Sequence, residues 1–278
     1  MKGERQSLQE YFSDIVEEVN DFLQNWLFKW DEEEEFKKMV EYVLFPGGKR
    51  IRPVLFYLIY EHLGGKGEKW LAPACAIELA HNFTLIQDDL PAMDNAETRR
   101  GKPCIHKVYG EANALLVSDA LLASAFALLA ESPFPLAVRR EGIQELYSAL
   151  FQRGVISGQW WDIHQPISGR TFEQWTKINE RKTARLFQAT ARMGGIFAFA
   201  PPDIIQILGN FGLFLGLSFQ FADDLEDLAE HPLREKLYSQ GKFFMEEALK
   251  VIQGLHFPLL EELCRFAFFR RFPALSGE

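Results

Sequence analysis

Two runs of carboxylates, Asp88-Asp89-Leu90-Pro91-Ala92-Met93-Asp94 and Asp223-Asp224-Leu225-Glu226-Asp227, lie more than a hundred residues apart, each at the end of a strongly apolar stretch. Carboxylates set so close repel one another. Placing them beside apolar helix faces is costly unless hard cations and a polyanion complete the charge. Magnesium ions and a diphosphate meet that need, because Mg²⁺ takes oxygen ligands, keeps several waters and is held by one or two carboxylates plus substrate phosphates. On a helix Asp223 and Asp227 share a face. Pro91 disfavours helical backbone at Leu90, so Asp88 is expected on the last helical turn and Asp94 on the loop beyond. Just downstream, Arg99-Arg100-Gly101-Lys102-Pro103 is a cationic patch that glycine and proline hold in a turn. Carboxylates, a short loop and paired arginines describe a site for metal-bridged phosphate oxygens, since arginine recognises phosphate through two parallel bonds. Lys49, Arg50 and Arg52, taken alone, read as a solvated basic turn, and Trp160 and Trp161 read as packing residues.

Apolar residues recur at three- and four-residue spacing almost throughout and alternating runs are scarce, so the elements that position these groups are expected to be helices. The pattern predicts an all-α chain with helices over about 6–28, 34–44, 52–63, 70–90, 111–130, 136–157, 171–199 with a break, 202–229, 240–253 and 256–269. Glycine and proline clusters fall between them, at Pro46-Gly47-Gly48, Gly64-Gly65, Pro133 with Pro135, Pro166 with Gly169, Pro201-Pro202 and Pro232. A bundle of such helices would bring both acidic runs to the mouth of one cavity, with apolar faces behind them.

Composition narrows the reading. A chain of 278 residues, 47% of them hydrophobic, suffices for a single domain over 1–278 with a deep core. The net charge of −9 argues against nucleic acid as a partner. Cys75, Cys104 and Cys264 form neither a paired framework nor a metal spacing, which suits a reducing, cytoplasmic setting. The amino-terminal residues 1–7 lack the apolar core of a signal peptide. The apolar run 112–130 is interrupted by Asn113, Ser118 and Asp119, and reads as a buried helix rather than a membrane span.

Several blocks carry a family likeness: Gly47-Gly48-Lys49-Arg50-Ile51-Arg52-Pro53, His81-Asn82-Phe83-Thr84-Leu85-Ile86-Gln87 leading into the first acidic run, Arg99-Arg100-Gly101, Gly110-Glu111-Ala112-Asn113, Gly158-Gln159, Lys182-Thr183, and Phe219-Gln220-Phe221-Ala222-Asp223-Asp224. In order and spacing they resemble the trans-isoprenyl diphosphate synthases, above all the bacterial farnesyl diphosphate synthases, over about residues 35–230. The resemblance implies an isoprenoid synthase-type helical bundle around a central catalytic cavity, a homodimer, and Mg²⁺-dependent condensation of isopentenyl diphosphate with an allylic diphosphate. It implies that Asp88, Asp89 and Asp94 hold two magnesium ions on the allylic diphosphate, and that Asp223, with Asp224 and Asp227, holds a third. Arg99 resembles the family's allylic-diphosphate arginine, and Lys49, Arg52, His81 and Arg100 its isopentenyl-diphosphate pocket. Lys182, Thr183 and Gln220 resemble the residues that bind the leaving diphosphate and steady the carbocation. Phe83, five before Asp88 and so about 7.5 Å along a helix axis, would floor the cavity. With the two residues Pro91-Ala92 inside the first motif, it implies a fifteen-carbon product, with twenty carbons as the alternative.

Two positions depart from the family pattern. Gln87 stands where many members have histidine, and can still hydrogen-bond. The stretch 228–242 is shorter than the family's lysine-bearing loop, leaving Lys236 and Lys242 as possible substitutes. That departure admits a non-catalytic modulatory subunit, although intact aspartates argue for an enzyme. A terpene cyclase would have no second diphosphate to engage Lys49, Arg52 and Arg100.

Overall fold

The structure, a computed structural model, describes residues 8–165, 170–227 and 234–269. Among the described residues the chain is all-α, as the spacing predicts, apart from one two-stranded hairpin. Its Cα packing divides it into two compact units, residues 1–54 with 67–143, and residues 55–66 with 144–278. The division runs through the interior of two helices, α3 (Ile51–His62) and α7 (Leu136–Leu150).

The first unit contains α1 (Leu8–Phe28), α2 (Glu34–Leu44), α4 (Leu71–Asp89), the hairpin β1 (Thr98–Arg99) and β2 (Lys102–Pro103), α5 (Ile105–Tyr109) and α6 (Glu111–Glu131). Fourteen of the nineteen residues of α4 are buried, on every side of the helix. A helix apolar all round belongs in the middle of its unit, and α1 and α6 pack against it. The exceptions to this apolar character are the buried polar groups Glu78, Asn82, Thr84 and Asp89.

The second unit is built on α11 (Pro202–Asp227), which packs against α10 (Arg185–Phe197), α12 (Arg234–Ile252) and α13 (Pro258–Phe269), with α8 (Val155–His164) and α9 (Phe172–Asn179) alongside. Pro202 opens α11, where a missing N–H costs nothing. The break expected inside 171–199 is a π-helical turn at Glu180–Ala184 between α9 and α10. Gly158 of α8 and Gly216 of α11 both lie against that turn: an added Cβ would stand 2.6 Å from the Lys182 nitrogen and 2.5 Å from the Ala184 Cα.

Four expectations need correction. The stretch 136–157 is two helices, because the backbone folds back at Gly154, where a Cβ would sit 1.8 Å from the Ala149 carbonyl oxygen. The hairpin and α5 were not separable from a turn in the residue pattern, being only a few residues each. Helix α12 begins at Arg234 rather than near 240. Finally, α6 is not a buried helix: 39% of its most apolar window is buried, and Leu115 and Leu116 are exposed. By length and composition alone, α6 and the segment Pro202–Leu225 of α11 could cross a membrane. The punctuation at Pro166, Gly169 and Pro232 lies outside the described residues.

Candidate active site

Helix α4 ends where Leu90 takes the extended backbone, φ −60° and ψ 152°, that Pro91 demands. The chain then curls back over the helix end. The N–H of Asp94 donates to the Asp88 carbonyl (2.9 Å), that of Asn95 to Leu90 (3.0 Å), and that of Ala96 to Asp89 (3.2 Å). These bonds satisfy carbonyls that a helix terminus otherwise leaves open, and they hold the exposed Asp94 beside the half-buried Asp88. Asp89, one residue on, is buried and held by Arg99: Nε donates to its two oxygens (3.1 and 3.2 Å) and Nη2 to Oδ1 (2.5 Å). Those bonds hold the Arg99 guanidinium above its ordinary pKa.

Arg99 and Arg100 sit on the hairpin, whose central residues Arg100 and Gly101 have φ +54° and +76°. Positive φ at both positions is the type I′ geometry that suits a two-residue loop. The hairpin is pinned to the end of α2: Lys102 Nζ donates to the Phe45 carbonyl (2.6 Å) and lies 4.4 Å from the centre of the Tyr42 ring, while Tyr42 Oη donates to the Pro103 carbonyl (2.7 Å). A cleft beneath it is lined by Tyr42, Pro46, Asn82, Asp89, Arg99 and Arg100.

The basic turn is not uniformly solvated. Lys49 is exposed, but Arg50 and Arg52 are buried, because Arg50 finds a buried partner in Glu78 (2.7 Å) and further acceptors in Asn20 and the Leu44 carbonyl. His81 lies near Arg52, Arg100, Arg50 and Arg99; burial first, then these cations, push its pKa well below the ordinary value. Phe83 is buried on α4, and Ser118 of α6 reaches its carbonyl (3.5 Å) while accepting from Gln87 Nε2 (2.8 Å).

In the second unit Thr183, Gln220 and Asp224 form a chain. The Thr183 hydroxyl donates to Gln220 Oε1 (2.6 Å), and Gln220 Nε2 donates to Asp224 Oδ1 (2.8 Å). Asp224 Oδ2 also accepts from Trp175 Nε1 (2.7 Å) and Asn179 Nδ2 (2.6 Å). Burial raises the pKa of this carboxyl, and the three donors oppose that rise. Asp223 is half-buried. Asp227 ends α11, its side chain lying outside the described residues. Lys182 bonds to Asp162 (3.0 Å), which also takes Arg170 (2.8 Å); burial works against ionisation there, yet the two cations hold the Asp162 carboxyl below its ordinary pKa.

Residue-type reasoning missed Asp162, Trp175 and Asn179. For Asp162 a signal existed, since it follows the Gly158-Gln159 pair by three residues, one helical turn. Trp160 is 57% exposed and stacks on His164, so it is not a packing residue within the chain. Lys236 lies 4.3 Å from the centre of the Phe172 ring, and Lys242 is 3.9 Å from Glu246; residues 228–233, between α11 and α12, are outside the described set.

Among the described residues no three His, Cys, Asp or Glu side chains gather into a closed metal cage. Asp88, Asp94 and Asp223 are hard oxygen donors with access to solvent, which fits the open mode by which magnesium joins a protein to a phosphate. Asp89 and Asp224, expected from the sequence as ligands, are engaged by protein donors. The three cysteines are buried and unpaired, and burial pushes the Cys104 thiol up to about 11.

A helical scaffold that ends two helices in aspartate pairs and sets adjacent arginines beside one of them fits the class of proteins that handle diphosphate esters. Residues 33–241 match the family model described as polyprenyl synthetase, and the chain belongs to that family. It is 35% identical over 224 residues to a farnesyl diphosphate synthase of Bacillus subtilis, covering 80% of this chain and 76% of that one. It is 40% identical over 197 residues to a geranylgeranyl diphosphate synthase of Pseudescherichia vulneris, covering 70% and 63%. Among solved structures, an FPP/GFPP synthase from Zymomonas mobilis superposes with a TM-score of 0.86 at 30% identity, covering 94% and 98%.

Proposed function

We propose that the chain is a short-chain prenyltransferase that condenses isopentenyl diphosphate with dimethylallyl or geranyl diphosphate, giving farnesyl diphosphate and diphosphate. The observation that carries this reading is the different partnering of two adjacent arginines. Arg99 is bound to Asp89 and Arg100 to Asn82, so one short hairpin offers two separately held guanidinium groups, which a reaction between two diphosphates needs and a cyclase does not.

In the proposed reaction the C1–O bond of the allylic substrate breaks and its electron pair leaves with the diphosphate. The double bond of isopentenyl diphosphate then forms the new C–C bond to C1. A proton leaves C2 of the isopentenyl unit for the released diphosphate, restoring a double bond. Arg99 and Lys182 present fixed positive charge to the departing group, worth more in a water-poor site than in bulk solvent. Lys49, Arg52, His81 and Arg100 hold the isopentenyl diphosphate. Thr183 and Gln220 would steady the allylic cation with their oxygen dipoles, and Asp224 supports this role by accepting from Gln220 Nε2. Asp88, Asp94 and Asp223, supported by Asp89, Asp224 and Asp227, would hold magnesium, which when bound neutralises diphosphate charge. Phe83 bounds the tail.

We assign a cytoplasmic location, a homodimer and a single prenyltransferase domain over 1–278 to the same reading. A twenty-carbon product is the second reading, favoured by the 40% identity to a geranylgeranyl diphosphate synthase. Purified protein incubated with Mg²⁺, labelled isopentenyl diphosphate and each allylic primer, followed by chromatography of the dephosphorylated products, tests all of this. Fifteen-carbon alcohol is expected; twenty carbons would select the second reading, and no elongation of any primer would leave a modulatory subunit.

A further inference from the structure

Arg100 is held in an unusual way for a cation on a two-residue turn. Its φ of +54° is costly for a residue with a side chain, and asparagine or glycine ordinarily fills that position. Such a backbone persists where its surroundings fix it. Arg100 Nη1 donates to Asn82 Oδ1 (3.1 Å). Asn82 is 1% exposed, and its Nδ2 donates to the Glu78 carbonyl (2.8 Å) and to Glu78 Oε1 (3.2 Å). Glu78, 2% exposed, is in turn ion-paired with the buried Arg50 (2.7 Å). The two glycines of the basic turn make room for this file: a Cβ on Gly47 would lie 2.2 Å from the Arg50 guanidinium, and one on Gly48 would lie 2.9 Å from Arg100 Nη2.

We propose that Asn82 is the positioning residue of the isopentenyl-diphosphate site, orienting Arg100 through an amide that the Arg50–Glu78 pair holds in place. The inference rests on the assignment of Arg100 to that diphosphate made above. Its physical content is that an amide orients a guanidinium without neutralising it. The carboxylate of Glu78 polarises the Asn82 amide and strengthens Oδ1 as an acceptor, yet among the described residues no carboxylate bonds to Arg100 directly, whereas Asp89 bonds directly to Arg99. Arg100 therefore keeps its charge for an incoming anion. Asn82 itself carries no charge, and its amide oxygen is given to Arg100.

Asn82→Leu keeps the shape and removes the acceptor; Asn82→Asp keeps the acceptor and adds a charge that competes with the diphosphate. Both are expected to raise KM for isopentenyl diphosphate about tenfold, with KM for the allylic substrate and kcat changed less than about twofold. Equal changes for the two substrates, or a fall in kcat alone, would overturn the inference. Circular dichroism checks folding, and if the leucine variant does not fold, the aspartate variant, which keeps the bond to Arg100, decides. Calorimetric titration with isopentenyl diphosphate, without turnover, separates this idea from the proposed function. An inactive wild type that binds the ligand, with binding weakened in either variant, would sink the function and uphold the positioning role. Binding of equal strength in the wild type and a folded variant, or none in the wild type, would reject the positioning role.

Discussion

Asp88 and Asp89 share a helical turn but not an environment, and the same holds for Asp223 and Asp224. In each pair the first aspartate is half-buried, while the second is buried and bonded to protein donors, Arg99 in one case and Trp175, Asn179 and Gln220 in the other. The second member is bonded within its unit, and the first, being half-buried, keeps access to solvent and the ligands it carries. We therefore expect Asp88→Ala and Asp223→Ala to lower kcat by about 10²–10³-fold or more, the scale of a lost electrostatic contact to a developing charge, with unchanged circular dichroism; undiminished turnover in both would remove the metal assignment. The residue pattern located both pairs and the hairpin arginines, because charge beside apolar runs is conspicuous. It did not rank the members of a pair, since burial is decided by partners far away in the chain, such as Trp175 for Asp224. His81 gives a pH prediction. Its folded pKa lies well below the ordinary 6.5, so as pH falls through that value the unfolded chain takes up a proton that the folded one refuses, and stability drops with pH. His81→Gln should flatten the decline between about pH 7 and about pH 5 in urea titrations; an unaltered slope would show that His81 is not its source.

At the scale of elements, α4 does three jobs on three stretches of one helix. Its end presents the aspartates, its middle holds the Glu78–Asn82 file, and Phe83 stands between them against α6, where Ser118 ties the Phe83 carbonyl and the Gln87 amide to the same wall. A ring in a packed wall does not swing aside at small cost, which makes Phe83 the residue to alter for product length. Phe83→Ala should move the products toward twenty carbons or longer even if the overall rate falls, and chromatography showing no lengthening would place the floor elsewhere. The long helices were legible because a 3.6-residue period repeated over ten or more positions is hard to mistake. The π turn at Glu180–Ala184 was legible as a break but not as a π turn, because its cause lies in the glycines of α8 and α11 that approach it. The hairpin is too short to show a strand period.

For the whole molecule, the division into two units was not visible in the sequence because no linker marks it; its boundaries fall inside α3 and α7, where the helical pattern runs on without interruption. One exposed feature at this scale is α6. Ala112, Leu116, Asp119, Ala123, Ala127 and Ala130 are all exposed and recur every three or four residues, so they form one stripe along the length of the helix with a single charge on it. A chain with net charge −9 has polar surface in abundance, and an apolar stripe of that length is the mark of a covered face. A second copy of the chain is the cover we propose: alanines let helices approach closely, and an isologous contact would pair the stripe with itself. Light scattering at micromolar concentration should give twice the chain mass of 32.0 kDa. Leu116→Glu puts a second charge on the face, three residues from Asp119, and should shift the population to single chains while leaving the helix content intact. A wild type of single-chain mass would show that α6 is open in solution, and a variant that keeps the wild-type mass would place the dimer contact on another face.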